Sequence, residues 1–326
     1  MRVFVSGATG SLGLSLCLAL KEKKYSVIGV GRNQSRLKLL SERGIDTIHA
    51  DLCESDLYSQ ISSCDFVVHS AALTRPWGPR QEFVAPNLTA SRRIFEWSAR
   101  AQVKKLIHIS TTSVYYDGTS RTNLTETSEL PKIQKTSYAA TKLESETLAG
   151  EFFKNGLSGL ILRPRAIVSP YDQTLLPRIL AIMNRGFFPM IDNGEGIIDV
   201  TPTESIFAAI ECAFRAPSEF NGNIYNLTND EPISIRELLQ SIAKSLNLKV
   251  RWLPMSSEKL RPLAKAFEKL WPILSNREPR LSCYTLDLIS KSQSFNIQKI
   301  KSELGYRPAI STERAIVAMS NWRLAK

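Results

Sequence analysis

The chain has 326 residues, 43% of them hydrophobic and 22% charged, and a net charge of +11. These are the proportions of a soluble globular protein, and the length allows one large domain with an addition or two domains. No apolar run approaches the roughly 20 residues that span a bilayer. No recognition helix, zinc-ligand spacing or interleaving of aromatic and basic residues accompanies the positive charge, so nucleic acid is not an expected partner.

The chain opens on an apolar run, Val3 to Val5, that reads as a buried parallel strand. Because strand begins at once, no signal peptide is expected. Gly7, Gly10 and Gly13 follow at the spacing G-x-x-G-x-x-G, and then a helical pattern through Leu16, Leu18 and Leu20. Glycine at the first position allows a sharp turn. At the second it allows backbone to approach a pyrophosphate, and at the third it lets helix pack on strand. The free N–H groups and positive end of that helix then face the phosphates. Strand, glycine turn and helix in this order predict a dinucleotide site.

Tyr25 to Gly31 reads as the second strand, with Arg32, Asn33 and Arg36 after it. Arg32 follows Gly13 by 19 residues, close to the distance of about 20 at which a dinucleotide fold meets the adenosine ribose. An acidic residue there bonds the 2′-hydroxyl of NAD, whereas arginine accommodates the 2′-phosphate of NADP. No Asp or Glu lies between Val27 and Leu40, so NADP(H) is expected in preference to NAD(H). Asp46 to Ala50 reads as a third strand, closed by Asp51 and Leu52 where the edge of adenine would lie. Phe66 to His69 is a fourth, ending in the small residues Ala71 and Ala72. A loop with Thr74 and Trp77 comes next, then a helix from Gln81 to Gln102 with a stripe of Phe83, Leu88, Ile94, Phe95 and Ala99, and a fifth strand from Leu106 to Ser110. This alternation predicts an α/β fold with a doubly wound parallel sheet and ligands outside the carboxyl ends of its strands.

Thr111 and Thr112 follow the fifth strand, and Tyr138-x-x-x-Lys142 begins a helix. Residues four apart share a helix face, and a lysine beside a tyrosine favours the phenolate. With a hydroxyl from Thr111 on the same substrate oxygen, the set is suited to moving a proton in a carbonyl–alcohol pair. The five scattered cysteines, Cys17, Cys53, Cys64, Cys212 and Cys283, include no C-x-x-C pair, so a reduced, cytoplasmic protein without a metal is expected. His49, His69 and His108, at the ends of apolar runs, read as structural.

With Gly7-x-x-Gly10-x-x-Gly13, Asp51-Leu52, Ala71-Ala72, Asn87, Ser110-Thr111, Tyr138-x-x-x-Lys142 and Arg163-Pro164, the chain resembles the extended short-chain dehydrogenases/reductases over nearly its whole length. Within them it is most similar to the 3β-hydroxysteroid dehydrogenase-like branch, through Arg163-Pro-Arg-Ala-Ile and the Trp77-Gly78 loop. The resemblance implies a Rossmann domain over 1–166 and a smaller α/β substrate-binding region over 167–326 that partly returns to the main sheet. It makes Thr111, Tyr138 and Lys142 catalytic. Cofactor contacts are expected from Gly7, Thr9, Gly10, Ser11, Leu12, Gly13, Arg32, Asn33, Arg36, Asp51, Leu52, Ala71, Ala72, Asn87, Ser110, Tyr138, Lys142, Pro164 and Ile167. Substrate contacts are expected from Thr74, Trp77, Thr112, Arg165 and Trp271. Sugar-nucleotide epimerases and dehydratases usually carry asparagine where this chain has Ala166, which counts against that substrate. Ser169-Pro170 departs from the usual Gly-Pro.

In the second half, Leu175 to Arg185, Glu204 to Phe214, Asn296 to Leu304 and Ser311 to Arg323 read as helices. Phe187 to Asp192, Ile197 to Val200, Asn223 to Leu227 and Val250 to Leu253 read as strands. Ser234 and Glu237 form a capping box for a helix to Leu246. From Ser257 to Leu274 apolar residues recur at helical spacing among Lys259, Arg261, Lys265 and Lys269, with Pro262 and Pro272 bounding the regular part. This segment reads either as an amphipathic lid giving the pocket an apolar wall, or as a contact with a membrane surface that would make the protein peripheral. The expected function is interconversion of a ketone and a secondary alcohol on an apolar, steroid-like or acyl-chain small molecule, in a homodimer. The alternatives are a nucleotide-sugar epimerase or dehydratase with retained cofactor, and a non-catalytic redox-sensing NADP-binding protein.

Overall fold

A computed structural model of the chain describes all residues except 54–60, 62, 218, 275–278, 280 and 325–326. The strands β1 (Arg2–Ser6), β2 (Ser26–Gly31), β3 (Asp46–His49), β4 (Phe66–His69) and β5 (Lys105–Ile109) pair in parallel in the order β5-β4-β1-β2-β3. Two later strands, Gly159–Pro164 and then Asn221–Leu227, extend the sheet beyond β5 to seven, all parallel. The strand order therefore reverses between β1 and β4. A crevice opens at such a reversal, outside the carboxyl ends of the strands.

Alternate side chains of each strand serve opposite faces. Val3 and Val5 point into a core with α1 (Ser11–Glu22) and the helix Thr203–Arg215, where Phe66 and Phe214 stack at 4.1 Å. Phe4, Ile28 and Val67 point the other way, under Ile94, Phe95, Leu148 and Phe153 of the helices Ala90–Arg100 and Ser137–Lys154. A separate core of Ile179, Met183, Leu238, Ile242, Ile316 and Met319 holds the second half together. The expected capping box is present at Ser234 and Glu237.

Several elements differ from expectation. The helix of 81–102 ends at Arg100 and contains a wider turn at Ala85–Thr89, where Pro86 removes a backbone donor; Ala99 is exposed rather than part of the stripe. The strand expected over Ile197 to Val200 stops at Ile198, and Thr201–Pro202 pairs instead with Ile167–Val168. The helix Ser257–Leu274 runs through both Pro262 and Pro272; each lacks an N–H and so cannot donate to the carbonyl four residues earlier.

The face of that helix is also reversed. Its inner side carries Ser257 and Ala264, the ion pair of Arg261 with Asp287, and Glu268, which accepts from the N–H of Cys283 at 2.8 Å. Leu263, Phe267 and Leu270 are 48%, 38% and 54% exposed, and partly buried Trp271 packs on Phe267 at 6.1 Å. The expected apolar wall is thus turned outward, because charged contacts with the helix Cys283–Ser290 fix the other side. The Leu274 side chain lies outside what is described. No helix among the described residues is long and apolar enough to cross a membrane.

Candidate active site

Three loops meet at the strand reversal. A Cβ added to Gly13 would lie 2.2 Å from the carbonyl oxygen of Gly7, and one on Gly7 would lie 2.8 Å from the Cα of Ala71. Real Cβ atoms do not approach so closely, so these glycines are what let the β1 loop, α1 and the β4 loop come together. Gly31, not singled out from sequence, works alike: its Cβ would lie 2.6 Å from the side chain of Thr9. Gly10 caps α1 without a side-chain hydrogen bond, and the first turn holds no acidic residue. The first N–H groups, near Ser11 and Leu12, remain available to an anion. The residues present fit a dinucleotide.

The flanking polar groups fix this cradle. Ser6 Oγ lies 2.7 Å from His69 Nδ1 and receives the N–H groups of Ser70 and Ala71, and His69 Nε2 lies 2.8 Å from Ser91 Oγ. Arg36, expected at the ribose, donates to the carbonyl of Thr9 at 2.9 Å and so ties the glycine loop to the helix after β2. Asn33 caps that helix by accepting from the N–H of Arg36. Arg32, 71% exposed at its side chain, pairs with Asp51 at 3.1 Å, and Leu52 is buried. Asn87, expected at the cofactor, is held by the protein. It is 1% exposed, and its amide is taken up by both backbone groups of Leu73 and by Thr141, so it holds the loop that carries Ala71 and Ala72.

The reacting end lies past β5. Thr111 and its neighbours sit beside the end of the Gly159–Pro164 strand: the N–H of Ser110 donates to Leu162 at 2.7 Å. The hydroxyl of Thr112, expected to face substrate, is buried and donates to the carbonyl of Pro164 at 3.4 Å, which joins the two strand ends. Ser110 keeps a buried hydroxyl without a partner. Ile167 pairs with Thr201. Thr136 caps the helix Ser137–Lys154, placing partly buried Tyr138 in its first turn and buried Lys142 one turn on. Tyr138 and Thr111 share a hydrogen bond. Trp77 is partly buried and Thr74 exposed in the neighbouring loop.

The electrostatics differ from the expected lysine-activated phenolate. Burial pushes the Tyr138 phenol up to about 12, against the lowering effect of the Thr111 hydrogen bond and with a further upward push from Tyr284. Burial draws Lys142 down to about 8, opposed by Glu146. Lys142 Nζ donates to the carbonyl of Ile109 at 2.8 Å and lies 3.4 Å from His108 Nε2. His69 and His108 stack at 5.3 Å, both fully buried. Burial, and then the charge of Lys142, holds His69 down to about 3 and His108 far below its ordinary value. Both rings are therefore neutral packing groups under the lysine, in keeping with a structural role.

Two residues had no sequence signal. Tyr284, in the helix Cys283–Ser290, sits edge-on to Tyr116 at 5.0 Å and is felt electrostatically by both Tyr138 and Arg165. Asp199 is fully buried, and burial raises it to about 6 although the N–H of Phe295 donates to it at 2.7 Å. Neither belongs to a motif, and each reaches the site from a distant part of the chain.

A depressed lysine has a stability consequence with a defined sign. Between the folded value near 8 and the unfolded value of about 10.4, the unfolded chain binds more protons, so stability rises with pH. The gain is complete above the unfolded value and is lost as pH falls through the folded one. Urea unfolding of wild type and Lys142→Met from pH 7 to 11 is expected to show a wild-type rise, on the order of 3 kcal/mol, that the variant lacks. Parallel pH profiles would refute it.

The residues 3–228 match the family model described as NAD dependent epimerase/dehydratase family. An uncharacterized protein of Escherichia coli, YbjS, is 30% identical over 99% of this chain and 97% of its own. The 4-hydroxy-2-methyl-3-oxo-4-farnesyl-3,4-dihydroquinoline-1-oxide ketoreductase of Stigmatella aurantiaca is 26% identical over 98% and 96%. A UDP-glucuronic acid 4-epimerase from Bacillus cereus, solved with NAD, superposes with a TM-score of 0.77 at 22% identity over 99% of this chain and 96% of that one, which shows the shared fold. The chain belongs to the NAD dependent epimerase/dehydratase family, within the extended short-chain dehydrogenases/reductases, and is an NAD(P)-dependent oxidoreductase.

Proposed function

We propose that the protein reduces a ketone on an apolar small molecule to a secondary alcohol, with NADPH preferred as reductant. The observation that carries this reading is the hydrogen bond between the partly buried Tyr138 phenol and Thr111, beside the end of β5. A tyrosine is protonated near neutrality and so can donate to a carbonyl oxygen. When bound, the nicotinamide coenzyme supplies the hydride for the carbonyl carbon. Tyr138 gives its proton to the carbonyl oxygen, which Thr111 holds in place. Lys142 stands one turn along the same helix, anchored on the Ile109 carbonyl beneath the site. The farnesyl-bearing ketone named for the Stigmatella relative supports an apolar substrate.

The nucleotide-sugar reading is disfavoured by residue 166. Ala166 has φ +36°, a left-handed conformation that asparagine tolerates better than alanine. The turn is kept, but a methyl group stands where an amide would hold a nucleotide sugar. Arg32 supports NADP(H): it follows the end of β2 with its side chain largely exposed, paired with Asp51 at the rim. The outward row of Leu263, Phe267 and Leu270, with exposed Lys259, Lys265 and Lys269 on the same helix, supports docking on an anionic lipid surface, the phase from which an apolar ketone would be drawn.

Each part has its own test. Tyr138→Phe is expected to lower kcat by about 10²–10⁴ with NADPH affinity retained; near-normal turnover would reject the donor. NADPH consumed one for one with ketone supports a reductase, and a coenzyme that is never consumed would point to the epimerase class. Arg32→Ala is expected to weaken NADPH about tenfold and leave NADH unchanged, fluorescence titration being the measure; equal wild-type affinities would remove the preference. Flotation with phosphatidylglycerol vesicles at low salt is expected to carry the wild-type protein and not Phe267→Ser/Leu270→Ser.

A further inference from the structure

The loop that follows β4 crosses from the coenzyme cradle to the reacting end. It begins at Ala71, against Gly7, and its far end reaches Ser137, the neighbour of Tyr138. The helix Ser137–Lys154 holds it at both ends. At the near end, Thr141 accepts from the Asn87 amide at 3.0 Å. Asn87 in turn accepts from the N–H of Leu73 at 2.7 Å and donates to its carbonyl at 3.2 Å. At the far end, the Ser137 hydroxyl donates to the carbonyl of Gly78 at 3.1 Å. Just beyond, Arg80 Nη2 donates to both carboxylate oxygens of Glu144, at 2.9 and 2.7 Å.

Ser137, Thr141 and Glu144 are spaced i, i+4 and i+7, so they form one stripe of the helix. Tyr138 and Lys142 form the next stripe, about 100° round. The helix therefore carries the proton donor on one face and the loop on the neighbouring one. The three holds are unequal. Thr141 and Asn87 are fully buried, where a lost hydrogen bond strands its partner. The Arg80 and Glu144 side chains are 55% and 43% exposed, and a surface pair of this kind contributes little. Gly78 thus depends on Ser137. Inside the loop Arg75 folds back, paired with Glu82 and lying over the Phe83 ring at 5.6 Å. Gly78 turns the chain at φ +137°, a conformation suited to glycine. The residues from Thr74 to Trp77 are fixed at both ends, and partly buried Trp77 stands next to the Ser137 clamp.

We propose that Ser137 is a positioning residue for the substrate: by holding the Gly78 carbonyl it sets Trp77 as a wall of the pocket at a fixed distance from Tyr138. The proposal rests on the ketone–alcohol reading above and deepens it by naming what limits the ketones that fit. No proton passes through Ser137. Its hydroxyl is spent on the loop, so its loss loosens the wall and leaves the hydrogen bond of Tyr138 with Thr111 in place.

The test uses 4-nitroacetophenone, an aryl ketone whose nitro group quenches a neighbouring indole, on the NADP⁺-loaded wild-type protein. Saturable quenching of the tryptophan emission is expected, and Trp77→Phe is expected to remove it. Ser137→Ala is expected to weaken the probe about two- to twelvefold, the worth of one neutral hydrogen bond, with NADPH affinity unchanged. Ser137→Thr, which keeps the hydroxyl, is expected to restore binding. With NADPH, the loss in Ser137→Ala is expected in KM and not in kcat. A second measure needs no ketone. Acrylamide quenching of the Trp77 emission, taken by difference from each protein's Trp77→Phe counterpart, is expected to rise in Ser137→Ala and to stay at the wild-type level in Ser137→Thr. Probe quenching that survives in Trp77→Phe, or is absent from the wild type, would overturn the wall. Wild-type acrylamide quenching in Ser137→Ala would overturn the clamp, and a loss of NADPH affinity as large as that of the probe would overturn the proposal by assigning the loop to the coenzyme. Turnover separates the two levels: a probe that binds and quenches as expected but is not reduced removes the ketone–alcohol reading and keeps the wall, whereas reduction with the same KM by wild type and Ser137→Ala keeps that reading and removes the role of Ser137.

Discussion

The buried pair of Arg163 and Glu146 is the join on which the reacting end depends. Both side chains are 4% exposed, and the contact is bidentate, with Nε to Oε1 at 2.9 Å and Nη2 to Oε2 at 2.6 Å. The remaining nitrogen Nη1 donates to the Tyr115 hydroxyl at 2.6 Å, which donates in turn to Asn226 at 2.9 Å. One guanidinium thus links the helix that bears Tyr138 and Lys142, the turn after Thr111 and the last two strands of the sheet. Removing one partner of such a buried pair costs about 3–5 kcal/mol, because it strands a charge. Here it would also release the catalytic helix from the strands that set its distance to Thr111.

Around this join, burial is the largest influence on each ionisable group. The same withdrawal from water keeps the Tyr138 phenol protonated, brings Lys142 toward the range where it changes charge near neutrality, and leaves His69 and His108 uncharged. A neutral pair of imidazoles under the lysine fills space and accepts or donates hydrogen bonds without adding repulsion. Arg165 keeps a buried Nε without a hydrogen-bond partner, and Tyr284 and Asp199 are the groups that feel its charge.

The sequence made the nucleotide half legible because its constraints are local. Gly7, Gly10 and Gly13 answer to contacts within one strand–turn–helix unit, and Tyr138 and Lys142 to one helical turn, so their spacing is itself the signal. The strand expected over Asn223 to Leu227 runs from Asn221 to Leu227 and does return to the main sheet, as the family resemblance implied. Asn87, Thr112, Asn33 and Arg36, expected at the site, each also bond to protein, and spacing alone carried no sign of those structural contacts. The orientation of Ser257–Leu274 was left between an inward and an outward apolar face because helical periodicity shows that a stripe exists and not which side meets the fold; Arg261 with Asp287 and Glu268 at Cys283 fix the inner side. Tyr284 and Asp199 carried no signal, since their roles arise only when remote segments converge.

The position of the last strand gives the protein a schedule as well as a shape. Gly159–Pro164 is flanked by β5 on one side and by Asn221–Leu227 on the other, and the latter leaves the ribosome much later. At about 5–20 residues per second, the nascent nucleotide half waits several seconds with an unpaired edge. During that interval Tyr115 lacks Asn226, and the edge strand presents its open backbone groups to any neighbouring chain. A fold that looks divisible on paper is thus completed as one unit, and newly made chains spend that interval in the form in which strand-to-strand aggregation and chaperone capture compete with closure.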